Sequence, residues 1–231
     1  LLWAGKIREA EALADKDIIS QPRRMPPYQP VGDLYIYFPG HDQVAAYERQ
    51  LDLSTAIHTV KYRTSDATYT REVFATQPGQ CIALRIKADK PGQLTFRARL
   101  RRQADATASV QNGDTLILTG QAFPHGARQL EEPRAGAKFR AQARIQHTGG
   151  TAKATAEEIV IENANEATIL ITTNDTLPTQ SFDTLKQAHI ADYQSLNQRA
   201  NLRLESSDPK VQLANLYWHY ARYLLDRKST R

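Results

Sequence analysis

Apolar positions in the first nineteen residues follow a helical period. Trp3, Ile7, Ala10, Ala14 and Ile18 recur at spacings of three and four, which predicts an amphipathic helix over residues 1–19. Gln21-Pro22 ends it, and Pro26, Pro27 and Pro30 make the next stretch an extended connector. From residue 31 to 173 the period becomes two. Strands are expected at 33–38, 47–53, 58–63, 69–76, 80–88, 93–102, 106–111, 114–119, 139–147, 158–162 and 166–173. Asn112-Gly113 suits a tight hairpin, since both positions tolerate positive φ. Lys90-Pro91-Gly92 and Gln77-Pro78-Gly79 suit type II turns, and His147-Thr148-Gly149-Gly150 is a further turn. Many short strands with regular turns and no alternation of strand and helix predict a two-sheet antiparallel sandwich. Residues 121–136 form the one long irregular stretch, a length often tied to function.

Helical periodicity returns after Thr176. Asp183 is placed to cap a helix running to about Ala200, with Leu185, Ala188, Tyr193 and Leu196 on one face. Leu202-Arg203-Leu204 is extended. Asp208-Pro209 then starts another helix, a capping residue followed by proline in the first turn. Leu213, Leu216, Tyr217, Tyr220, Ala221 and Leu224 form a wide apolar stripe on it. The remaining sequence offers nothing for that stripe to pack against, as expected of a domain whose partner is missing.

Composition changes this picture little. Hydrophobic residues make up 41% and charged residues 24%, the balance of a globular chain with a real core. The net charge of +5 and pI of 9.3 raise the question of nucleic acid. Arg97, Arg99 and Arg101 alternate with Phe96, Ala98 and Leu100, and Arg140 and Arg144 are set between Ala141, Ala143 and Ile145. The alternation assigns all five arginines to solvated sheet faces. No aromatic-rich basic motif accompanies them, so no nucleic-acid partner is expected. Cys81 is the single cysteine, which excludes an internal disulfide or a cysteine zinc site and points to buried filler. No apolar run is long enough for a membrane span. The chain opens Leu1-Leu2-Trp3 with no signal peptide in view, so its native start is expected to lie elsewhere.

The candidate chemistry is sparse. Inverting glycosidases need two carboxyl groups roughly 6.5–9.5 Å apart, and neither Glu131-Glu132 nor Glu157-Glu158 qualifies: the first pair lies in the long loop, and the second faces opposite ways in a strand. His41, His58, His125, His147, His189 and His219 show no metal-ligand spacing, so no metal is expected. His189 and Asp192 are three apart on a helix and can share a side, either orienting an imidazole or making a packing contact. Tyr28, Tyr35, Tyr37 and Trp218 suit stacking on sugar rings or burial at a domain contact. Asp33 beside Gly32 fixes the loop after Pro30. Arg49 with Asp52, and Arg71 with Glu72, are candidate ion pairs. No nucleophile elbow and no phosphate loop is present.

Several ordered segments resemble glycoside hydrolase family 95, the α-L-fucosidase type. Pro27-Tyr28-Gln29-Pro30-Val31-Gly32-Asp33-Leu34-Tyr35 resembles the entry to that family's amino-terminal sandwich. Tyr47-Glu48-Arg49-Gln50-Leu51-Asp52-Leu53 and Tyr69-Thr70-Arg71-Glu72-Val73-Phe74-Ala75 resemble strands that follow, with Gln77-Pro78 and Cys81-Ile82 after them. His189, Asp192-Tyr193, Leu196 and Arg199 resemble its linker. Leu216-Tyr217-Trp218-His219-Tyr220-Ala221-Arg222-Tyr223-Leu224-Leu225 resembles the first helix of its catalytic barrel.

The resemblance implies a mainly β fold: an antiparallel β-super-sandwich with an N-terminal helix and C-terminal linker helices. It divides the chain into a helix and sandwich over 1–176, a helical linker over 177–206 and the start of a truncated α/α barrel over 207–231. It implies hydrolysis of terminal α-L-fucosides with inversion by the parent protein, without cofactor, in the periplasm or outside the cell. The partners implied are a fucosylated glycan and the chain's own barrel. The family's catalytic groups sit in that barrel, so no catalytic residue is carried onto this chain. Tyr28, Asp33, Tyr35, His189, Asp192, Tyr217 and Trp218 are the expected barrel-interface residues. A stand-alone carbohydrate-binding module and the N-terminal domain of a related disaccharide phosphorylase are the alternatives.

Overall fold

A computed structural model describes residues 1–18, 28–122 and 136–228. The proline connector around Pro22, Pro26 and Pro27, most of the long 121–136 stretch with His125 and Glu131-Glu132, and residues 229–231 lie outside the described residues. The chain divides into two compact units, residues 1–30 with 121–138 and residues 31–120 with 139–231.

In the first unit a 3-10 turn over Leu2–Ala4 precedes helix α1 (Ile7–Asp17). The single helix expected over 1–19 is broken at Gly5. Its φ of 70° is a left-handed stop, and its N–H closes on the Leu2 carbonyl. Trp3 is fully exposed, as is Tyr28. Ala122 and Ala137 pair at 2.8 Å where the long stretch begins and ends.

The second unit is the sandwich. Its strands are β1 (Asp33–Tyr37), β2 (Ala45–Asp52), β3 (Ile57–Arg63), β4 (Thr68–Thr76), β5 (Cys81–Ala88), β6 (Leu94–Arg101), β7 (Ala106–Gln111), β8 (Thr115–Gln121), β9 (Lys138–Thr148), β10 (Thr151–Ala154), β11 (Ile159–Ala164) and β12 (Glu166–Thr172). They form a four-stranded sheet in the order β1-β6-β11-β10 and an eight-stranded sheet in the order β2-β3-β4-β5-β12-β9-β8-β7. The registered pairs are antiparallel, and the mainly β sandwich expected from the sequence is the fold.

Period-two patterning positions the core. In β6, Leu94, Phe96, Ala98 and Leu100 are buried while Arg97, Arg99 and Arg101 are exposed. Ile159 and Ile161 lie beside them. Facing them from the larger sheet are Ile86, Leu116, Leu118, Ala143, Ile145, Ala167 and Ile169. Each large side chain so enclosed stabilises by roughly 1.5–3 kcal/mol.

The turns behave largely as their residues require. Asn112 and Gly113 both take positive φ, 55° and 77°, in the β7–β8 hairpin. Gly149 and Gly150 do the same, leading into β10, a short exposed strand the sequence pattern does not reveal. The Gln77-Pro78-Gly79 turn differs from expectation. Positive φ falls on Gln80 rather than Gly79. Gly79 serves close approach instead, since a Cβ there would stand 2.7 Å from Thr76 Cγ2 and 2.8 Å from Leu185 Cδ2. Glu157 and Glu158 also differ, lying in the turn before β11, where both backbone amides donate to Thr155 Oγ1.

Helix α2 (Phe182–Asn197) covers the outer face of the eight-stranded sheet. Its cap is Ser181, whose Oγ accepts from Thr184 N at 3.2 Å, and not Asp183, which lies within the first turn. Helix α3 (Pro209–Lys228) follows, with Asp208 Oδ1 accepting from Lys210 N at 2.8 Å. The solvated face expected at Arg140 and Arg144 is half-buried, because the segment leading to α2 lies across it. Arg144 donates to the Pro178 carbonyl, and Gln142 beside it to the Asn174 and Asp175 carbonyls at 2.7 and 2.9 Å.

Candidate functional site

The seat of α2 joins a second apolar cluster to a charge network. Strand parity builds it. Phe74, Cys81, Ala83 and Leu170 point away from the inter-sheet core, and with Ile57 they form a second apolar cluster closed by Phe182 and Leu185. Cys81 is buried there, and burial pushes its thiol up to about 11, so it is inert filler.

Beside this cluster runs a charge network. Arg85 donates to Glu72 and to Asp183 at 2.7 Å each, and Lys186 donates to the other Glu72 oxygen at 2.5 Å. The Arg85 guanidinium also lies 4.1 Å from the Phe182 ring centre. Burial opposes the charged form of Glu72, but hydrogen bonds and charge from Lys186 and Arg85 outweigh it and hold the carboxyl below its ordinary value. A groove of about 240 Å³ opens beside Arg85, Ser181 and Asp183. The expected Arg71–Glu72 pair does not form, because neighbours in a strand face opposite sides. Arg71 instead donates to Tyr62 Oη at 2.6 Å and lies 4.1 Å from the Phe38 ring centre. Asp52 is not joined to Arg49 by an ion pair among the described residues. It accepts from Ser54 N, Ser54 Oγ and Thr55 Oγ1.

The second half of α2 grips the turn that Asp52 fixes. His189 Nε2 donates to the Thr55 carbonyl at 2.9 Å, Tyr193 Oη to Leu53 at 2.9 Å and Gln194 Nε2 to Ser54 at 3.3 Å. Three successive carbonyls of the β2–β3 turn are thus held by one helix face. The His189 ring stacks on Phe74 at 4.7 Å and is 1% exposed.

The sequence-selected residues fall in three places. Tyr28 is in the first unit. Asp33 and Tyr35 lie on the exposed face of β1. His189 is buried toward the sandwich, Asp192 is half-buried on α2, and Tyr217 and Trp218 lie on α3. Leu213, Leu216, Tyr217, Tyr220 and Leu225 leave an apolar face of α3 exposed. Trp218 is half-buried with the Arg222 guanidinium 4.9 Å from its ring. Arg222 joins α3 to the end of α2 by donating to the Leu196 and Asn197 carbonyls, and to the Ala200 carbonyl just after it. That contact and the Glu72–Arg85–Lys186 network were not anticipated. Strand parity alone could have directed Glu72 outward, whereas nothing local marks Arg222.

Chemically, several of the acidic groups here are engaged in structure. Glu162 pairs with Lys153 and Glu166 with Lys87, both at 2.8 Å. Among the described residues no cluster of three or more His, Cys, Asp or Glu could hold a metal ion, and no helix is long and apolar enough to cross a membrane.

Relatives carry the assignment further. Alpha-L-fucosidase 2 of Arabidopsis thaliana is 24% identical over 86% of this chain and 31% of its own length. Probable alpha-fucosidase A of Aspergillus niger is 21% identical over 85% of this chain and 30% of its own. The protein of that name from Aspergillus oryzae is 41% identical over 56 residues, 24% of this chain and 8% of its own. The chain thus spans about a third of the length of the curated relatives it matches most fully. In fold it is similar to a putative kojibiose phosphorylase from the human microbiome, with a TM-score of 0.51 at 11% identity, covering 81% of this chain and 30% of that one. The family model described as glycosyl hydrolase family 65, N-terminal domain, matches residues 1–178, and the chain belongs to that family.

Proposed function

We propose that this chain is the non-catalytic N-terminal part of an inverting α-L-fucosidase of the family 95 type. The N-terminal helix and sandwich over 1–176 serve as a platform, the linker over 177–206 is clamped to the sandwich through α2, and residues from 207 onward begin the helical catalytic domain. Tyr217 and the apolar face of α3 meet the rest of that domain, and Asp192 and Trp218 border the contact. The parent acts on terminal α-L-fucosides in the periplasm or outside the cell. The observation that carries this reading is the pairing of a tightly clamped α2 with an α3 whose Leu213, Leu216, Tyr217, Tyr220 and Leu225 stay exposed. The fucosidase relatives, which align across more than four-fifths of the chain, support the substrate class.

The test is the full gene product on 4-nitrophenyl α-L-fucoside and on fucosyllactose. Release of fucose is expected, with the β-anomer appearing first by NMR. No release overturns the fucosidase reading, and the α-anomer first overturns inversion.

A further inference from the structure

The sheet face opposite α2 carries a different kind of surface. Asp33, Tyr35 and Tyr37 are the exposed positions of β1, directly opposite Arg101, Arg99 and Arg97 on β6. Tyr35 is 49% and Tyr37 57% exposed. The Arg99 guanidinium lies 5.8 Å from the Tyr35 ring centre. None of Arg97, Arg99 and Arg101 has an ion pair among the described residues. Glu162 on β11 is paired with Lys153 on β10, and Asp33 on β1 and Glu157 at the groove are the acidic side chains set among these arginines.

This face runs into a groove. The β6–β11 ladder begins only at Ala98 and Ile159, and beyond it a cavity of about 590 Å³ opens. Arg99, Arg101, Arg102, Thr107 and Glu157 line it, with Leu118 on its floor. That volume lies within the roughly 300–1,000 Å³ of small-molecule sites. Arg99 and Arg101 belong to both the groove and the tyrosine face.

We infer that this face and groove bind an acidic oligosaccharide whose rings carry carboxylate or sulfate groups. Tyr35 and Tyr37 are i and i+2 on one strand, roughly 6.5–7 Å apart, and offer two adjoining ring faces to the apolar sides of sugars. The arginine row supplies planar forks that meet carboxylate or sulfate through two parallel hydrogen bonds. The inference rests on membership of a carbohydrate-acting family and is independent of the fucosidase reading. It also gives Asp33 and Tyr35 a role other than contact with a barrel.

Calorimetry on the full chain tests it, with a trigalacturonate, a heparin hexasaccharide, a neutral xyloglucan heptasaccharide, polyglutamate and an oligothymidylate. At least one of the two acidic sugars is expected to bind, more weakly at higher salt, and which one identifies carboxylate or sulfate as the anion. Tyr35→Ala and Arg99→Gln should each weaken binding at least tenfold, and Tyr37→Ala provides a second aromatic test. Binding of neither acidic sugar overturns the inference. So does binding that ignores both tyrosine changes. Equal binding of polyglutamate or oligothymidylate with the same variant pattern assigns the face to acidic protein or nucleic acid, and also overturns it.

Discussion

Glu72 and Arg85 stand opposite each other across β4 and β5, and their side chains meet at 2.7 Å on the face that α2 covers. The pair belongs to the sheet, yet Lys186 and Asp183 extend it to the helix. Removing Glu72 leaves Arg85 enclosed with only the exposed Asp183 carboxylate. Glu72→Ala is therefore expected to cost about 2–3 kcal/mol and to speed amide exchange over 182–197. Asp183→Asn, at a site 71% exposed, should cost under about 1 kcal/mol. Urea unfolding with hydrogen exchange checks both.

Gly79 and Leu185 make a steric prediction. Gly79→Ala should destabilise by about 1–3 kcal/mol, because its Cβ would collide with Leu185 and Thr76. Leu185→Ala alone should cost about 2–4 kcal/mol by opening a cavity. The double variant should cost clearly less than the sum, since the second change makes room for the first. A double-mutant cycle reads the coupling directly.

Acid should loosen the domain in two steps. Burial, aided by the charge of Arg71, holds His41 below its ordinary value, while Asp42 opposes the shift. His41 Nδ1 lies 2.8 Å from Tyr62 Oη, which accepts from Arg71, and its ring packs near Phe38 and Tyr69. A neutral imidazole is thus favoured in the fold. The stability it contributes is present above about pH 6.5 and is lost as pH falls through the lowered folded value. Glu72 adds a second loss, beginning below its unfolded value of about 4.3 and continuing through its lowered folded value. Melting temperature against pH should show both phases, and His41→Gln should remove the upper one.

Arg222 ties the last helix to the C-terminal end of α2 through the Leu196 and Asn197 carbonyls, where a cation is also favoured by the helix dipole, and to the Ala200 carbonyl just beyond it. Arg222→Ala should leave the sandwich melt unchanged and raise hydrogen exchange across 209–228. Its expected cost is about 1–2 kcal/mol of local stability.

Much of this fold is legible in the sequence because strand parity is a local signal. Leu94, Phe96, Ala98 and Leu100 against Arg97, Arg99 and Arg101 state their faces outright, and Asn112-Gly113 states its turn. Parity fails where a second layer covers the nominally outer face. Arg144 reads as solvated, yet the approach to α2 lies over it and over Gln142 on the same face. The α2 seat depends on contacts more than a hundred residues apart, such as His189 with Thr55 and Lys186 with Glu72, and no local pattern encodes them. Gly79 shows the same limit: the turn is legible, but its reason is a helix that arrives much later in the chain.

The central claim is the proposal that paired carboxylates such as Glu72 serve the fold of this domain and that the hydrolytic groups of the proposed fucosidase lie outside residues 1–231. The most direct measurement is release of nitrophenol from 4-nitrophenyl α-L-fucoside by purified residues 1–231. The account predicts a rate no greater than the buffer blank. Release well above the blank, abolished by replacing a carboxylate within this chain while the fold survives, would contradict it.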